Sequence, residues 1–308
     1  MKLVKTMLIG LVTLLALVAC GPSKPKLEGS IAIDGSSTVY PIMELVAEDF
    51  NAEYPDVQIT VGFSGTGGGF TKFAAGETDI SNASRPIKQA EKDAMVAAGI
   101  DYIELKVAFD GLSVVISKDN TWVDYLTFDE LKMIYGADAT ATTWADVRAG
   151  WPAEPLVIYS PGHDSGTFDY FTEAVNGKSG VIRSDSDNVQ ISFSEDDNVL
   201  VTGVAGDAGA IGYFGFAYYE ENSDKLKVVP IKKGDAAAVT PSYDTINNST
   251  YPLSRPLFIY VTKEALEREE VLEFVTFTLE NAGTLAQEVG YIALPDADYE
   301  AGLAKLGE

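Results

Sequence analysis

Three times in this chain an apolar, strand-like run ends in a cluster of small hydroxylated residues and glycine, and each cluster opens directly into a helix-forming segment. Asp34-Gly35-Ser36-Ser37-Thr38 leads into a stretch where Val39, Ile42, Met43, Val46 and Phe50 share one helical face, with Glu44, Glu48 and Asp49 elsewhere. Ser64-Gly65-Thr66-Gly67-Gly68-Gly69 leads into a short helix from Phe70 to Ala75, closed by Gly76. Asp164-Ser165-Gly166-Thr167 leads into a helix from Phe168 to Val175. Strands are expected at 29–33, 57–63, 112–117, 156–159 and 257–261. A capping box, Thr127 with Glu130, opens a helix through Tyr135. Helices fill most of 263–289. Strands and helices alternating in this way build an open sheet covered by helices, an α/β fold.

The same loops point to a chemistry. The first turn of a helix carries unpaired N–H groups and a partial positive charge. Glycine lets the backbone approach a ligand, and serine and threonine add hydroxyl donors, so such a start suits an anion. One loop of this kind is an ordinary helix cap; three in one chain, with an arginine in a fourth, favour an anion site. That fourth loop runs Asp79-Ile80-Ser81-Asn82-Ala83-Ser84-Arg85-Pro86. The planar fork of Arg85 suits a tetrahedral oxyanion, though an arginine in so acidic a chain is also material for a surface ion pair. Asp110-Gly111 precedes an apolar strand and reads either as a turn or as an acceptor beside the anion.

Composition narrows the function further. The 308 residues carry a formal net charge of −24, which disfavours nucleic acid and anionic lipid as partners. The hydrophobic fraction of 46% is enough for a large core, and the length suggests two domains. The glycine loop lacks the Gly-Lys-Ser/Thr ending of a P-loop and the spacing of a dinucleotide fingerprint. Asp164-Ser165-Gly166-Thr167 has no second copy, as an aspartic protease would need. The one histidine, His163, lies two residues from Ser165, which does not suit a serine triad and rules out a multi-histidine metal centre. No cofactor or metal is expected, and the chain reads as a binder rather than an enzyme.

The N-terminus reads as an export signal. Lys2 and Lys5 precede an apolar run from Met7 to Ala19, shorter than the roughly 20 residues that span a bilayer. Leu17-Val18-Ala19-Cys20 has the form of a lipobox, and Cys20 is the chain's single cysteine, so it is the expected lipidation site. Residues 1–20 are thus a lipoprotein signal and 21–30 a tether. The mature protein is expected outside the cytoplasm, in a periplasm or on a cell-surface membrane face, held there by lipid alone.

Taken together, Asp34 to Pro41 (DGSSTVYP), Ser64 to Phe70 (SGTGGGF), Asp79 to Ile87 (DISNASRPI), Asp164 to Phe168 (DSGTF), Gly209 to Tyr213 (GAIGY) and Tyr251 to Tyr260 (YPLSRPLFIY) make the chain similar to a known family. It resembles the phosphate-binding subunit of the bacterial high-affinity phosphate ABC transporter, the PstS family. The resemblance implies a type II periplasmic-binding-protein architecture: two lobes, a hinge and a ligand cleft between them. Lobe 1 would comprise 31–112 plus 259–308 and lobe 2 would comprise 113–258. It also implies inorganic phosphate as ligand, permease subunits as partners and a monomer. Carried over residue by residue, the site is Ser37, Thr38, Ser64, Thr66, Ser165, Gly166 and Thr167. Some members have an arginine where this chain has Pro161, and an acid where it has Ser84. Ser84 is kept in the site, and the charged pair is therefore expected at Arg85 and Asp110, with Asp110 accepting the proton that phosphate carries and sulfate lacks; Arg183 or Arg255 is next in line for the cation and Asp164 for the acid. The rival readings are a binder of another oxyanion such as sulfate or molybdate, a hydrolase built on Ser165 or Asp164, and a lipoprotein that senses or adheres.

Overall fold

The computed structural model describes residues 26–163, 165–184 and 189–307. The signal segment with Cys20, the first half of the tether and Asp164 lie outside the described residues. Eleven strands are described: β1 (Gly29–Gly35), β2 (Val57–Val61), β3 (Ile80–Ala83), β4 (Tyr102–Ser117), β5 (Leu126–Thr127), β6 (Val157–Pro161), β7 (Gln190–Ser194), β8 (Ala210–Gly215), β9 (Leu226–Val228), β10 (Ile231–Lys232) and β11 (Ser254–Thr262). They alternate with helices α1 (Tyr40–Glu53), α2 (Thr66–Ala74), α3 (Gln89–Ala98), α4 (Phe128–Tyr135), α5 (Trp144–Val147), α6 (Gly166–Asn176), α7 (Asp197–Ala205), α8 (Phe216–Glu221), α9 (Tyr243–Asn247), α10 (Lys263–Leu266), α11 (Glu269–Glu288) and α12 (Asp296–Ala304). The fold is α/β, as the alternation predicts.

The main sheet runs β2-β1-β3-β11-β4-β8-β6-β7, with β9 also on β4. Its organiser is β4, sixteen residues long and buried without interruption from Val107 onward, as a strand covered on both faces must be. Residues Tyr102 to Gly111 of β4 pair antiparallel with β11, whereas Leu112 to Ser117 pair with β8 and β9. The strand changes partners between Gly111 and Leu112, and two large apolar clusters lie either side of that change. One gathers Ile31, Val39, Phe50, Val107, Ile259 and Phe274. There Phe50 is fully buried, edge-on to Phe274 at 5.2 Å and to Phe277 at 5.5 Å. The other gathers Leu131, Trp144, Ile158, Phe171 and Tyr213. Its centre is the stacked pair Phe171–Tyr213, with ring centroids 3.7 Å apart. Buried aromatic rings of this size are the main source of core stability, about 1.5–3 kcal/mol each for a phenylalanine.

The capping box forms as read: Glu130 N–H donates to Thr127 Oγ1 at 3.1 Å and Thr127 N–H to Glu130 Oε2 at 2.8 Å. The second loop differs from expectation. Helix α2 starts at Thr66, so its first turn is built from the glycines themselves. Gly65 turns the chain in at φ 81°, in the left-handed region open to glycine. A methyl group at Gly69 would sit 2.5 Å from Gly35 Cα, so the helix packs against the β1 loop at a distance no side chain permits.

Candidate functional site

Helix α1 stands at the end of β1, helix α2 beyond β2, and the Ser84–Arg85 loop at the end of β3. Because β2, β1 and β3 are neighbours and parallel, all three loops emerge at one edge of the sheet. Helix α6, following β6, faces them. Together they enclose a polar cavity of about 370 Å³ lined by Ser36, Ser37, Thr38, Thr66, Ser84, Arg85 and Arg255, with Tyr170, Asp169 and Glu173 on the α6 wall. A larger recess of about 850 Å³ lies beside α4, but it mixes Asp129, Asp138 and Asp146 with Lys132 and Lys178 and gathers no cluster of hydroxyls around an arginine. Chemistry, not size, selects the smaller cavity.

Of the residues singled out from sequence, Ser37, Thr38, Thr66, Ser84 and Arg85 line this cavity. Thr66 and Ser84 are mutual partners, with Oγ1 and Oγ 3.2 Å apart, and Ser84 N–H donates to Thr66 Oγ1 at 3.2 Å. Ser64 does not line it. Its hydroxyl donates to Asp34, whose carboxylate also takes Ser64 N–H at 3.0 Å and Lys72 Nζ at 2.6 Å. Burial raises the Asp34 carboxyl, but Lys72 and Ser64 outweigh it and hold the group below its ordinary range. Ser64 thus fastens the glycine loop from beneath. Ser165 caps α6, accepting from Thr167 N–H at 3.2 Å. Ser165, Gly166 and Thr167 lie beside the cavity rather than on its wall. A methyl group on Gly166 would be 3.7 Å from Thr38 Cα, so the starts of α1 and α6 nearly touch.

Each cavity arginine has its own carboxylate. Arg85 donates from Nη1 to Glu91 Oε2 at 2.8 Å and from Nη2 to Glu91 Oε1 at 2.7 Å. That bidentate pairing pulls the Glu91 carboxyl below its ordinary range, against the opposing effect of burial. The ion-pair reading of Arg85 therefore holds alongside its place on the wall. Arg255 donates from Nε to Asp110 Oδ2 at 3.1 Å and from Nη2 to Thr38 Oγ1 at 2.9 Å. Asp110 is 2% exposed, and Arg255 stands between it and the cavity wall. Burial pushes the Asp110 carboxyl above its ordinary range, while the charge and hydrogen bond of Arg255 pull it back. Arg183, another buried arginine, is engaged elsewhere, donating to the Ile134 and Ala141 carbonyls.

From sequence, Arg255 ranks only as a fallback cation, together with Arg183, behind Arg85. A signal was there: the tripeptide Ser-Arg-Pro occurs twice, at Ser84-Arg85-Pro86 and Ser254-Arg255-Pro256, and both arginines reach the cavity.

Among the described residues no helix is long and apolar enough to cross a membrane, and no cluster of acidic, histidine or cysteine side chains has the form of a metal site. The family model described as the PBP superfamily domain matches residues 21–282. Protein SphX of Synechococcus elongatus is 50% identical over 274 residues, covering 88% of this chain and 79% of that protein. The phosphate-binding protein PstS of Staphylococcus saprophyticus is 42% identical, covering 96% of this chain and 91% of that protein. Among solved structures, a possible phosphate binding protein from Planctomyces limnophilus superposes with a TM-score of 0.87 at 48% identity, over 91% of this chain and 98% of that one. An ABC-type phosphate transport receptor from Vibrio cholerae gives 0.62 at 27% identity, over 86% and 100%. With a hydroxyl-lined cavity between two helix starts and relatives that align along nearly its whole length, the chain belongs to the PBP superfamily and, within it, to the PstS phosphate-binding-protein family.

Proposed function

We propose that the chain captures inorganic phosphate in this cavity and delivers it to the permease subunits of an ABC importer, acting as a binder and not as an enzyme. The observation that carries the reading is the convergence of hydroxyl side chains, those of Ser36, Ser37, Thr38, Thr66 and Ser84 among them, with Arg85 and Arg255. Hydroxyls and arginine forks are donors, as a tetrahedral oxyanion with several acceptor oxygens requires. Phosphate also keeps at least one proton near neutral pH, so an acceptor has a use in the site. Asp110 beside Arg255 is our choice for it, and Asp169 and Glu173 stand on the opposite wall. The net charge of −24 does not oppose binding, because surface acids are screened beyond about 8 Å at physiological salt while the cavity donors act at contact.

The lobes follow from the same reading. We place lobe 1 at 31–112 plus the returning C-terminal part, and lobe 2 between, with the hinge where β4 changes partners. The pairing of Ser254 with Gly111 supports a return crossing at the start of β11, a few residues before 259. Closure about that hinge brings Ser165, Gly166 and Thr167 toward the ligand.

Calorimetric titration with phosphate, arsenate, sulfate and molybdate tests the function. Phosphate and arsenate are expected to bind and sulfate and molybdate not to. Equal sulfate binding, or turnover of a phosphate ester, would overturn it.

The anchor is proposed on Leu17-Val18-Ala19-Cys20 alone. Cys20→Ala is expected to abolish incorporation of a labelled fatty acid and release the protein from membranes, since acylation is what supplies the attachment. Undiminished labelling in the variant would rule out Cys20 as the lipidated residue.

A further inference from the structure

The geometry points to Tyr170, on α6, as a positioning residue that fixes the Arg255 guanidinium in the orientation from which it donates into the cavity; this rests on reading the cavity as the phosphate site. An arginine side chain is long, and its fork is useful only when its plane is held. Two edges of the Arg255 plane are occupied, Nε by Asp110 and Nη2 by Thr38. Its face lies on the Tyr170 ring, with Cζ 3.8 Å from the ring centre. That is closer than any other cation–ring contact described in the chain: Arg148 lies 4.3 Å over Tyr125 and Arg85 5.7 Å over Phe70. Nη1 makes no hydrogen bond among the described residues and has only Glu173 Oε2, 3.9 Å away, as a charged neighbour. With three sides of the group taken, Nη1 is the edge left for a ligand oxygen.

Tyr170 is able to act this way because it does not itself move freely. It is 8% exposed and packs into the same apolar cluster as Phe171 and Tyr213, one turn along α6 from Gly166, which abuts Thr38. The choice of an aromatic ring also makes electrostatic sense. The face of the ring stabilises a cation as a carboxylate does, but adds no net negative charge. A second acid at that place would neutralise Arg255 equally well and repel the anion it serves.

The test is phosphate titration of Tyr170→Phe, Tyr170→Leu and Tyr170→Met, each repeated with Arg255→Gln, using equilibrium dialysis at millimolar phosphate where binding is weak. Tyr170→Phe keeps the ring and is expected to bind within about twofold of the parent, since the interaction uses the ring face. Tyr170→Leu is expected to lose roughly 3- to 30-fold, the range of a desolvated cation–ring contact. Tyr170→Met, whose longer unbranched chain adapts better to the space the ring leaves, is expected to show the same loss with an unaltered melting temperature, which covers the case where leucine disturbs folding. With Arg255→Gln in place, the Tyr170 substitutions should cost nothing further, because a residue that acts through Arg255 has nothing left to position. Unchanged binding in both Tyr170→Leu and Tyr170→Met overturns the inference, as does a loss of the same size with and without Arg255. A parent protein that binds no phosphate sinks the phosphate reading and this inference with it, whereas a parent that binds beside indifferent Tyr170 variants sinks the inference alone.

Discussion

Arg255→Ala is expected to weaken phosphate binding by at least about 100-fold, the largest effect of any single change in the cavity. Two losses add. A hydrogen bond from a charged donor contributes roughly 1.5–3 kcal/mol net, and every tenfold in affinity is about 1.4 kcal/mol. Removing the guanidinium also strips Asp110, 2% exposed, of its counter-charge, so the cavity gains an uncompensated acid where an anion must sit. Arg255→Lys is expected to recover only part of the affinity. A lysine keeps the charge, but it does not reproduce the simultaneous contacts to Asp110, Thr38 and the Tyr170 face. Arg85→Ala is the comparison, with an expected loss of roughly tenfold, the order of one charge-assisted hydrogen bond. Its guanidinium is already held at both ends by Glu91, itself near the rim of the site and less buried than Asp110. Calorimetry on the four proteins decides the order. Should Arg85→Ala cost more than Arg255→Ala, the principal cation is Arg85 and Arg255 is a strut for the hinge strand.

That Arg255 ranks behind Arg85 in the sequence has a physical cause. The apolar run from Leu257 to Val261 marks a buried strand, but Arg255 lies just before it, where the pattern gives no face to a side chain. Its role comes from register: Arg255 is the cross-strand partner of Asp110, 145 residues earlier in the chain. No local period encodes a pairing of that span. The loops that were legible are those whose chemistry is local. Ser37 and Thr38 stand directly before α1, and Thr66, Ser84 and Arg85 belong to short segments whose composition already suggests donors. Ser64 shows the limit of composition. By residue type it is indistinguishable from Ser37, yet Asp34 takes its hydroxyl away from the cavity. The start of α2 was missed for a related reason. Glycines cost a helix about 1 kcal/mol each, so propensity places the start after them. Contact of Gly69 with Gly35 overrides that cost, and only the folded structure supplies the contact.

Asp110→Asn separates the two jobs proposed for that carboxylate. The side chain keeps its shape and an oxygen that accepts from Arg255 Nε, but it loses its charge. Without ligand, Arg255 then keeps only Glu173, 3.9 Å away and largely exposed, as a counter-charge, and at 12% exposure water compensates only partly. The ligand-free protein should therefore melt earlier, by roughly 1–3 kcal/mol of stability, less than the 3–5 kcal/mol typical of a fully buried broken pair. An anion in the cavity supplies the missing charge, so phosphate should raise the melting temperature more in the variant than in the parent. Sulfate is the discriminating ligand. If Asp110 accepts the phosphate proton, its charge is also what repels an oxyanion that has no proton to offer, and sulfate affinity should rise roughly 10- to 100-fold in Asp110→Asn. Phosphate affinity should change little, since relief of repulsion offsets the weaker acceptor. Competition titrations at low and high salt check the origin of the effect. A gain that comes from the buried site persists in high salt, whereas one from the acidic surface fades. Sulfate exclusion that survives the substitution, together with the loss of stability, would leave Asp110 as the anchor of Arg255 alone. The discriminating carboxylate would then be sought on the facing wall, where Asp169 and Glu173 project from α6 into the same cavity.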